Sequence, residues 1–376
     1  MGPNAERSRP RRLDASGSQT GRHRNVSTGA IRARPCWSMY GDERRQMTEL
    51  SRFDRVYGCL LGGAVGDALG APVEFLSHKK ILARYGAEGI TQFDAAYGRI
   101  GRVTDDTQMA LFTVEGLIRA WVRFADRGIC DLPGVVHRAY LRWLITQDRS
   151  YEELSEIEAI ERVIDGWLIR DARLWASRAP GNTCLSALRA TWKSRQFSDK
   201  AANDSKGCGT VMRDAAFGLA RIGNPVVAFK WAVETAWTTH GHPSARYSSG
   251  ALAVIIAHIA QGDGLLDAVT RALAMLPRGA KAGEVRDALR RAVDLSRAPD
   301  WRRRLPELGA GWVAEEALAI SVLCALAAKD AREAIVAAVN HDGRFGLYRC
   351  HHREHRWHDG RRTVPARGLD GASGTA

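Results

Sequence analysis

Apolar residues recur at three- and four-residue spacing from about residue 50 to about residue 340, and this pattern constrains the fold most. The segment TQMALFTVEGLIRAWVRFADRG keeps that spacing from 107 to 127 and stops at Gly128. Glycine at such a place commonly ends a helix. No stretch shows convincing two-residue alternation, and no repeat of fixed period occurs. The sequence therefore predicts an all-α fold, a single compact multi-helix domain.

The chain divides into three parts by composition. Residues 1–46 are rich in Arg, Ser and Gly without apolar periodicity, which predicts a disordered basic extension. The pattern becomes globular at Met47, so we interpret Met47 as the natural start; a functional basic arm is the alternative. Residues 47–343 form the predicted domain. Residues 344–376 are patternless and basic, and we predict a disordered tail, read out of frame.

The formal charge of +13 lies mainly at the two ends. Residues 1–46 hold ten arginines against four acids, and residues 344–376 hold seven arginines against three, which leaves a net +3 for the body. This distribution argues against a nucleic-acid partner. No apolar run approaches the ~18–20 residues of a membrane helix. Seven scattered cysteines without a CxxC pair, and no secretory signal, predict a cytoplasmic protein with reduced thiols.

Glycines crowd the first predicted helix, in the segment GCLLGGAVGDALGAPVEF at 58–75. Because a glycine costs a helix interior roughly 1 kcal/mol relative to alanine, five of them need a reason. Close packing against another helix is one reason, and room for a ligand is the other. Glu74 follows just beyond Pro72, at the helix end, where its carboxylate could face a cleft.

A second polar segment, GRVTDDTQMAL at 101–111, opens the next long helix. Thr104 or Asp105 suits the N-cap, and acids are favoured in the first turn by the helix dipole. Capping and the helix dipole account for one hydroxyl and one acid. They account less well for two adjacent carboxylates, Asp105 and Asp106, between two threonines. A hydroxyl and two carboxylates are hard oxygen donors of the type that Mg²⁺ or Mn²⁺ binds.

Two further segments are polar or glycine-rich where helix packing does not require it. SKGCGTVMRDAAFGL at 205–219 contains a Gly-flanked turn whose backbone N–H groups could hold an anion. Arg213 could add a contact to that anion, or form a surface ion pair. TTHGHPSARYSSGAL at 238–252 places His240 and His242 before Pro243, as the wall of a polar pocket or as a helix cap.

Together, in this order, the four segments resemble the ADP-ribosylglycohydrolase family across roughly residues 50–343. The resemblance implies an all-α fold with a two-metal cleft for Mg²⁺ or Mn²⁺. The reaction it implies is hydrolysis of the glycosidic bond between ADP-ribose and a modified protein side chain or small acceptor. Thr104, Asp105 and Asp106 would be metal ligands, with Glu74 a ligand or catalytic carboxylate. The implied ADP-ribose cleft is shaped by Gly207, Gly209, Met212, His240 and His242.

The chain departs from the family pattern in two places. Cys208 stands where the family often has Asn, which removes one polar contact. The family also ends on a helix followed by an Asp-x-Asp motif that completes the metal site. Here AREAIVAAVNHDG is followed by RFGLYRCHHREHRWH, without those aspartates. We therefore expect at most one ion to bind well.

Our hypothesis for this ending is a frameshift after about Gly343, either a real mutation or a sequencing error. Codons can be chosen for residues 344–359 that, read one base further along, give GSDSTGAITGNIGGMM, which restores the second aspartate of the motif with its hydroxyl residues, and a small-residue helix. The rival interpretation is a zinc cluster formed by Cys350, His351, His352, His355 and His358. Two functions stay open: an active ADP-ribosyl-acceptor hydrolase, or a catalytically inactive product that either binds ADP-ribose or is degenerate.

Overall fold

The computed structural model describes residues 51–160, 164–194 and 200–341. The chain divides into two units, residues 1–49 and 50–376, and all described residues belong to the second. The predictions for residues 1–46 and 344–376, including the zinc cluster, fall outside the described residues.

The described part is built from α-helices joined by short turns and 3₁₀ segments, which confirms the predicted all-α class. In chain order the helices are α1 Arg52–Gly70, α2 His78–Tyr85, α3 Asp105–Arg127, α4 Leu132–Asp148, α5 Leu154–Ile160, α6 Asn182–Ser194, α7 Ala215–Ala220, α8 Pro225–Ala236, α9 Pro243–Gln261, α10 Leu265–Met275, α11 Gly283–Leu295, α12 Trp301–Arg304, α13 Ala314–Ala327 and α14 Ala331–Val339.

Two strands, β1 Ala95–Ala96 and β2 Arg99–Ile100, pair as an antiparallel hairpin that the sequence pattern did not reveal. Each strand has only two residues, too few to produce a visible alternation. No helix in the described ranges is both long and apolar enough to span a bilayer.

Local sequence fixes the helix ends that position the site. Ser51 begins α1 through a capping box, in which its hydroxyl accepts from the backbone N–H of Asp54 and the Asp54 carboxylate accepts from the backbone N–H of Ser51. Thr104 is the N-cap of α3, and α3 ends at Gly128 in the left-handed conformation, as the sequence predicted. These caps fix where α1 begins and where α3 begins and ends.

Two clusters of buried apolar side chains hold most of the helices together. The first joins α3 and α4 to α6, α7, α8 and the middle of α9. The second joins α9 to α10, α11, α12 and α13. α9 contributes to both clusters and packs on α8, α7 and α10. α1 lies at one side, where Leu69 and Val73 pack with Ile81 and Ile90 against α14. The C-terminal end of α1 is therefore the anchored end.

Candidate functional site

Glu74 lies in the turn that follows α1, where the backbone N–H of Glu74 donates to the carbonyl of Gly70 at 2.9 Å. Burial raises the pKa of its carboxyl group to about 8, and the charges of Asp106 and Asp67 add to the shift. One carboxylate oxygen, Oε2, is buried without a hydrogen-bond partner among the described residues. The ionised form of Glu74 is therefore disfavoured unless a proton or a cation binds to its carboxylate.

Asp105 and Asp106 occupy the first turn of α3. The backbone N–H of Asp105 donates to the carbonyl of Arg178 at 3.0 Å, and its carboxylate accepts from the N–H of Gly181 at 3.2 Å. Burial raises the pKa of Asp105 to about 7, against the hydrogen bond from Gly181, which lowers it; Glu74 and Asp67 raise it further. Burial and the Asp105 charge hold the pKa of Asp106 well above its usual range. The predicted pair and Glu74 are therefore close enough to repel one another.

Thr104 serves as the N-cap, with its hydroxyl oxygen accepting from the backbone N–H of Asp106 at 3.3 Å. The same hydroxyl donates to the Asp67 carboxylate at 2.7 Å. Both hydrogen-bonding functions of this side chain are thus in use within the protein.

Asp67 is a site residue that the sequence analysis missed. Its carboxylate accepts the backbone N–H groups of Thr104 and Thr107 at 2.8 and 3.1 Å and both threonine hydroxyls at 2.7 and 2.5 Å. A carboxylate at a helix N-terminus is favoured by unpaired N–H groups and by the helix dipole. Asp67 therefore ties the end of α1 to the start of α3. As the sole acid between Gly58 and Gly70, it was visible in the sequence.

The loop before α7 brings Cys208 near Asp105 and Asp106. Gly207 pairs with Val313 through an isolated β-bridge, and the N–H of Cys208 donates to the carbonyl of Trp312 at 3.0 Å. A 3₁₀ helix, Cys208–Arg213, follows, and Met212 packs against the first apolar cluster. Burial raises the pKa of the Cys208 thiol, with Asp106 and Asp105 adding to the shift. Cys208 therefore faces the aspartates as a neutral thiol.

His240 and His242 have different environments. His242 is the N-cap of α9, and its Nδ1 accepts from the backbone N–H of Ser244 at 3.1 Å. His240 is 1% exposed and lies against the glycine loop, where a Cβ added to Gly209 would meet its Cε1 at 3.0 Å. Burial lowers the pKa of His240 to about 3, and the nearby Arg213 charge lowers it further. His240 is therefore a neutral imidazole.

Arg213 is fully buried, so the predicted surface ion pair is wrong. Its guanidinium lies over the Tyr140 ring at 4.3 Å and donates to the Thr239 hydroxyl at 2.6 Å. The fully buried carboxylate of Asp214 lies 3.6 Å from Nε of Arg213, so the guanidinium has a counter-charge as well as an aromatic face and a hydroxyl. The sequence pattern gave no sign of this environment.

Aromatic side chains near the carboxylates were also missed. Tyr97, in the β1–β2 turn at φ 49°, has its pKa raised to about 12 by burial and by the charges of Glu74, Asp105 and Asp67. Phe75 and Trp312 stack with ring centroids 6.1 Å apart, and both are partly exposed. They link the turn bearing Glu74 to the segment that pairs with Gly207. Isolated aromatic residues in loops carry no spacing signal that sequence reading could use.

The donor chemistry of the site suits a hard divalent cation. Glu74, Asp105 and Asp106 are oxygen donors whose mutual repulsion and burial a cation would offset. Within the described ranges, however, no three His, Cys, Asp or Glu side chains are grouped closely enough to hold a metal ion. The described residues thus provide negative charge that would attract such an ion, but they do not provide a complete set of ligands for it.

Comparisons with known proteins agree with one another. A family model described as ADP-ribosylglycohydrolase matches residues 48–345. A relative from Rhodospirillum rubrum, ADP-ribosyl-[dinitrogen reductase] glycohydrolase, is 28% identical over 223 residues, 58% of this chain and 62% of the relative, less than two thirds of its length. A solved structure, "ADP-ribosylglycohydrolase-related protein complex", aligns with a TM-score of 0.51 at 27% identity, over 78% of this chain and 83% of that chain.

Proposed function

Because this chain belongs to the ADP-ribosylglycohydrolase family, we propose that it hydrolyses the glycosidic bond between ADP-ribose and a modified protein side chain or small acceptor. Membership confirms the resemblance drawn from the four polar segments and makes the chain a hydrolase by family. The bond cleaved, the acceptor and the metal are part of the proposal. An ADP-ribosylated protein is the substrate that the name of the R. rubrum relative favours.

One observation supports this function above the others: Glu74, Asp105 and Asp106 converge from two elements and raise one another's pKa. Like-charged acids are costly to gather unless the site uses them. We assign them, with Thr104, as ligands for Mg²⁺ or Mn²⁺. Such an ion, when bound, supplies Lewis-acid polarisation and orientation of oxygen ligands.

The remaining steps are assigned to this chain's own side chains. Glu74 is the proposed ligand or catalytic carboxylate: beside the ion its carboxyl group would be ionised, and in that form it would accept the proton of an attacking water. Asp67 fixes the position of the α3 N-terminus, and with it the two aspartates. The ADP-ribose moiety is assigned to the surface formed by Gly207, Gly209, Met212, His240 and His242.

Cellular placement is also part of the proposal. Among the described residues, Cys59, Cys130, Cys184, Cys208 and Cys324 carry free thiols. Free thiols are the usual state in a reducing compartment, which supports the cytoplasm.

An ADP-ribose release assay tests this function. With Mn²⁺ or Mg²⁺ present, the purified chain should release ADP-ribose from an ADP-ribosylated protein, and chelation should stop the release. Asp105→Ala should abolish it. Asp126→Ala, an exposed acid near the other end of α3, is the matched control and should keep full activity. Equal release by the wild type and Asp105→Ala would exclude the proposed site.

A second function is favoured by the sequence after Asn340, which lacks Asp-x-Asp. Without those carboxylates the chain would bind ADP-ribose and leave the bond intact, since affinity for a hard cation follows the number of carboxylate ligands. Calorimetric binding of ADP-ribose, together with no release of ADP-ribose from an ADP-ribosylated protein, would establish it. Resequencing codons 335–365 tests the frameshift, and an extra or missing base would return the motif and favour the hydrolase.

A further inference from the structure

A buried chain of hydrogen bonds runs from Arg213 through Thr239 to His240. The guanidinium Nη2 of Arg213 donates to the Thr239 hydroxyl at 2.6 Å, and that hydroxyl lies 2.9 Å from Nδ1 of His240. Arg213 and Thr239 are fully buried and His240 is 1% exposed. The three side chains are thus shielded from water that could replace any of these bonds.

The direction of the second bond follows from the first. A guanidinium only donates, so the Thr239 oxygen accepts from Arg213 and keeps one hydrogen to give. Two acceptors are within reach of that hydrogen: Nδ1 of His240 at 2.9 Å and the carbonyl of Ala236 at 3.4 Å. The shorter contact is the better hydrogen bond. Donation to Nδ1 requires that Nδ1 is unprotonated, which places the proton of the neutral imidazole on Nε2.

The charge of Arg213 favours the same tautomer. A neutral imidazole has a negative end at its bare nitrogen and a positive end at its N–H. With Nδ1 bare, the negative end faces the guanidinium and the N–H points away from it. Burial and Arg213 also lower the pKa of His240 to about 3, so the ring stays neutral at physiological pH.

The other side of the ring meets the glycine loop. A Cβ added to Gly207 would lie 3.5 Å from Nε2, and one added to Gly209 would lie 3.3 Å from it. Any side chain at these positions would therefore cover Nε2. Because both positions are glycine, no side chain from Gly207 or Gly209 covers Nε2.

We propose that Arg213 and Thr239 are positioning residues that hold His240 as its Nε2–H tautomer, so that His240 donates a hydrogen bond to an oxygen of ADP-ribose lying over Gly207 and Gly209. The ligand in this statement rests on the proposed function. The tautomer itself rests on the hydrogen bonds and can be measured without any ligand.

Nitrogen-15 NMR of histidine-labelled full-length protein tests the positioning. His240 should show a single Nε2–H tautomer in the wild type, assigned by its absence from a His240→Gln spectrum. Thr239→Val removes the hydroxyl at similar size and should give a mixture of tautomers, while Thr239→Ser should restore the single form. A wild-type spectrum with Nδ1–H, or an unchanged tautomer in Thr239→Val, overturns the proposal.

ADP-ribose titration calorimetry gives the second readout. Thr239→Val should weaken ADP-ribose binding about fivefold to tenfold, the effect of misdirecting one hydrogen bond, and Thr239→Ser should bind like the wild type. Absence of ADP-ribose binding by a wild type with the Nε2–H tautomer overturns the proposed function and the donor role, and leaves the positioning intact. Equal affinities of Thr239→Val and the wild type overturn the donor role alone.

Discussion

α1 and α9 are helices of equal length and similar small-residue content, yet the fold uses them differently. Most of α9 is buried, and Gly250 lies so close to its neighbours that an added Cβ would meet Phe229 and Val233 at 2.7 Å. In α1 only Ala68 and Leu69 are buried. Around Gly58, Gly62 and Gly63, the described residues leave 4 Å of open space. Small residues therefore permit close packing without ensuring it.

The contrast extends along α1 itself. Its C-terminal end meets α14, where a Cβ on Gly70 would lie 3.3 Å from Val339, and carries Asp67. Its N-terminal half exposes Phe53 at 73% and Tyr57 at 58%. Of the two reasons considered for the glycines, close packing thus applies at Gly70.

The acids gathered beside the C-terminal end of α1 should make the stability of the protein depend strongly on pH. Because the pKa values of Glu74, Asp105 and Asp106 are raised, the folded chain holds more protons than the unfolded chain between their ordinary and raised values. Stability is therefore greatest below about pH 4 for these groups and falls as the pH rises toward about 8, by on the order of 4 kcal/mol for Asp105 alone. Urea unfolding of chelator-treated protein across this range measures it.

The matched variant is Asp106→Asn, which removes one charge and should flatten that dependence. Added Mn²⁺ should flatten it as well, since the ion takes the place of the protons. A profile equal in the wild type and in Asp106→Asn would contradict the assigned cause.

Because α9 is closely packed, we predict that adding a single methyl group against it lowers the stability of the protein strongly. Gly218 of α7 faces α9, and an added Cβ would lie 2.5 Å from the carbonyl oxygen of Ala253. Backbone cannot yield as a side chain can, so Gly218→Ala should lower the free energy of unfolding by about 2–3 kcal/mol. Chemical denaturation checks this value. An unchanged midpoint would show that α7 and α9 separate easily.

The two ends of α1 should respond unequally to the same substitution. Asp67→Asn keeps the shape but leaves one oxygen where four donors meet, and should cost about 2 kcal/mol. Asp54→Asn alters an exposed capping box and should cost about 0.5 kcal/mol. Thermal and urea unfolding of the pair measure the difference. Equal losses would mean that α1 is not anchored through Asp67.

On the open face of α1, replacing a glycine by alanine should increase the stability slightly. Gly62 has no described atom within 4 Å of a new Cβ, so Gly62→Ala should stabilise the protein by about 0.5–1 kcal/mol through helix propensity alone. Gly250→Ala in α9 is the matched control and should destabilise. A loss in Gly62→Ala would show that this face of α1 is covered in solution.

The sequence revealed what depends on local pattern. The helix spacing and the end of α3 at Gly128 were predicted and confirmed, and of the two N-cap candidates, Thr104 and Asp105, Thr104 is the N-cap. Family membership also followed from four short segments, because the combination is specific where each segment alone is not.

What the sequence missed depends on contacts across the fold. Asp67 acts on threonines 37 and 40 residues away, and Arg213 is buried by side chains from several helices. Tyr97 lies beside the carboxylates through a hairpin whose strands have two residues each. None of these contacts leaves a periodic trace in the sequence, because each joins residues that are distant along the chain.

Titration calorimetry with Mn²⁺ on the full-length chain tests the central claim, that the acidic end of α1 and the start of α3 form one half of a cation centre. We predict a single tight site that disappears in Asp106→Asn and survives in Asp126→Asn. Two tight sites would contradict the view that half of the ligands are missing. No binding, or equal binding by Asp106→Asn, would contradict the site itself.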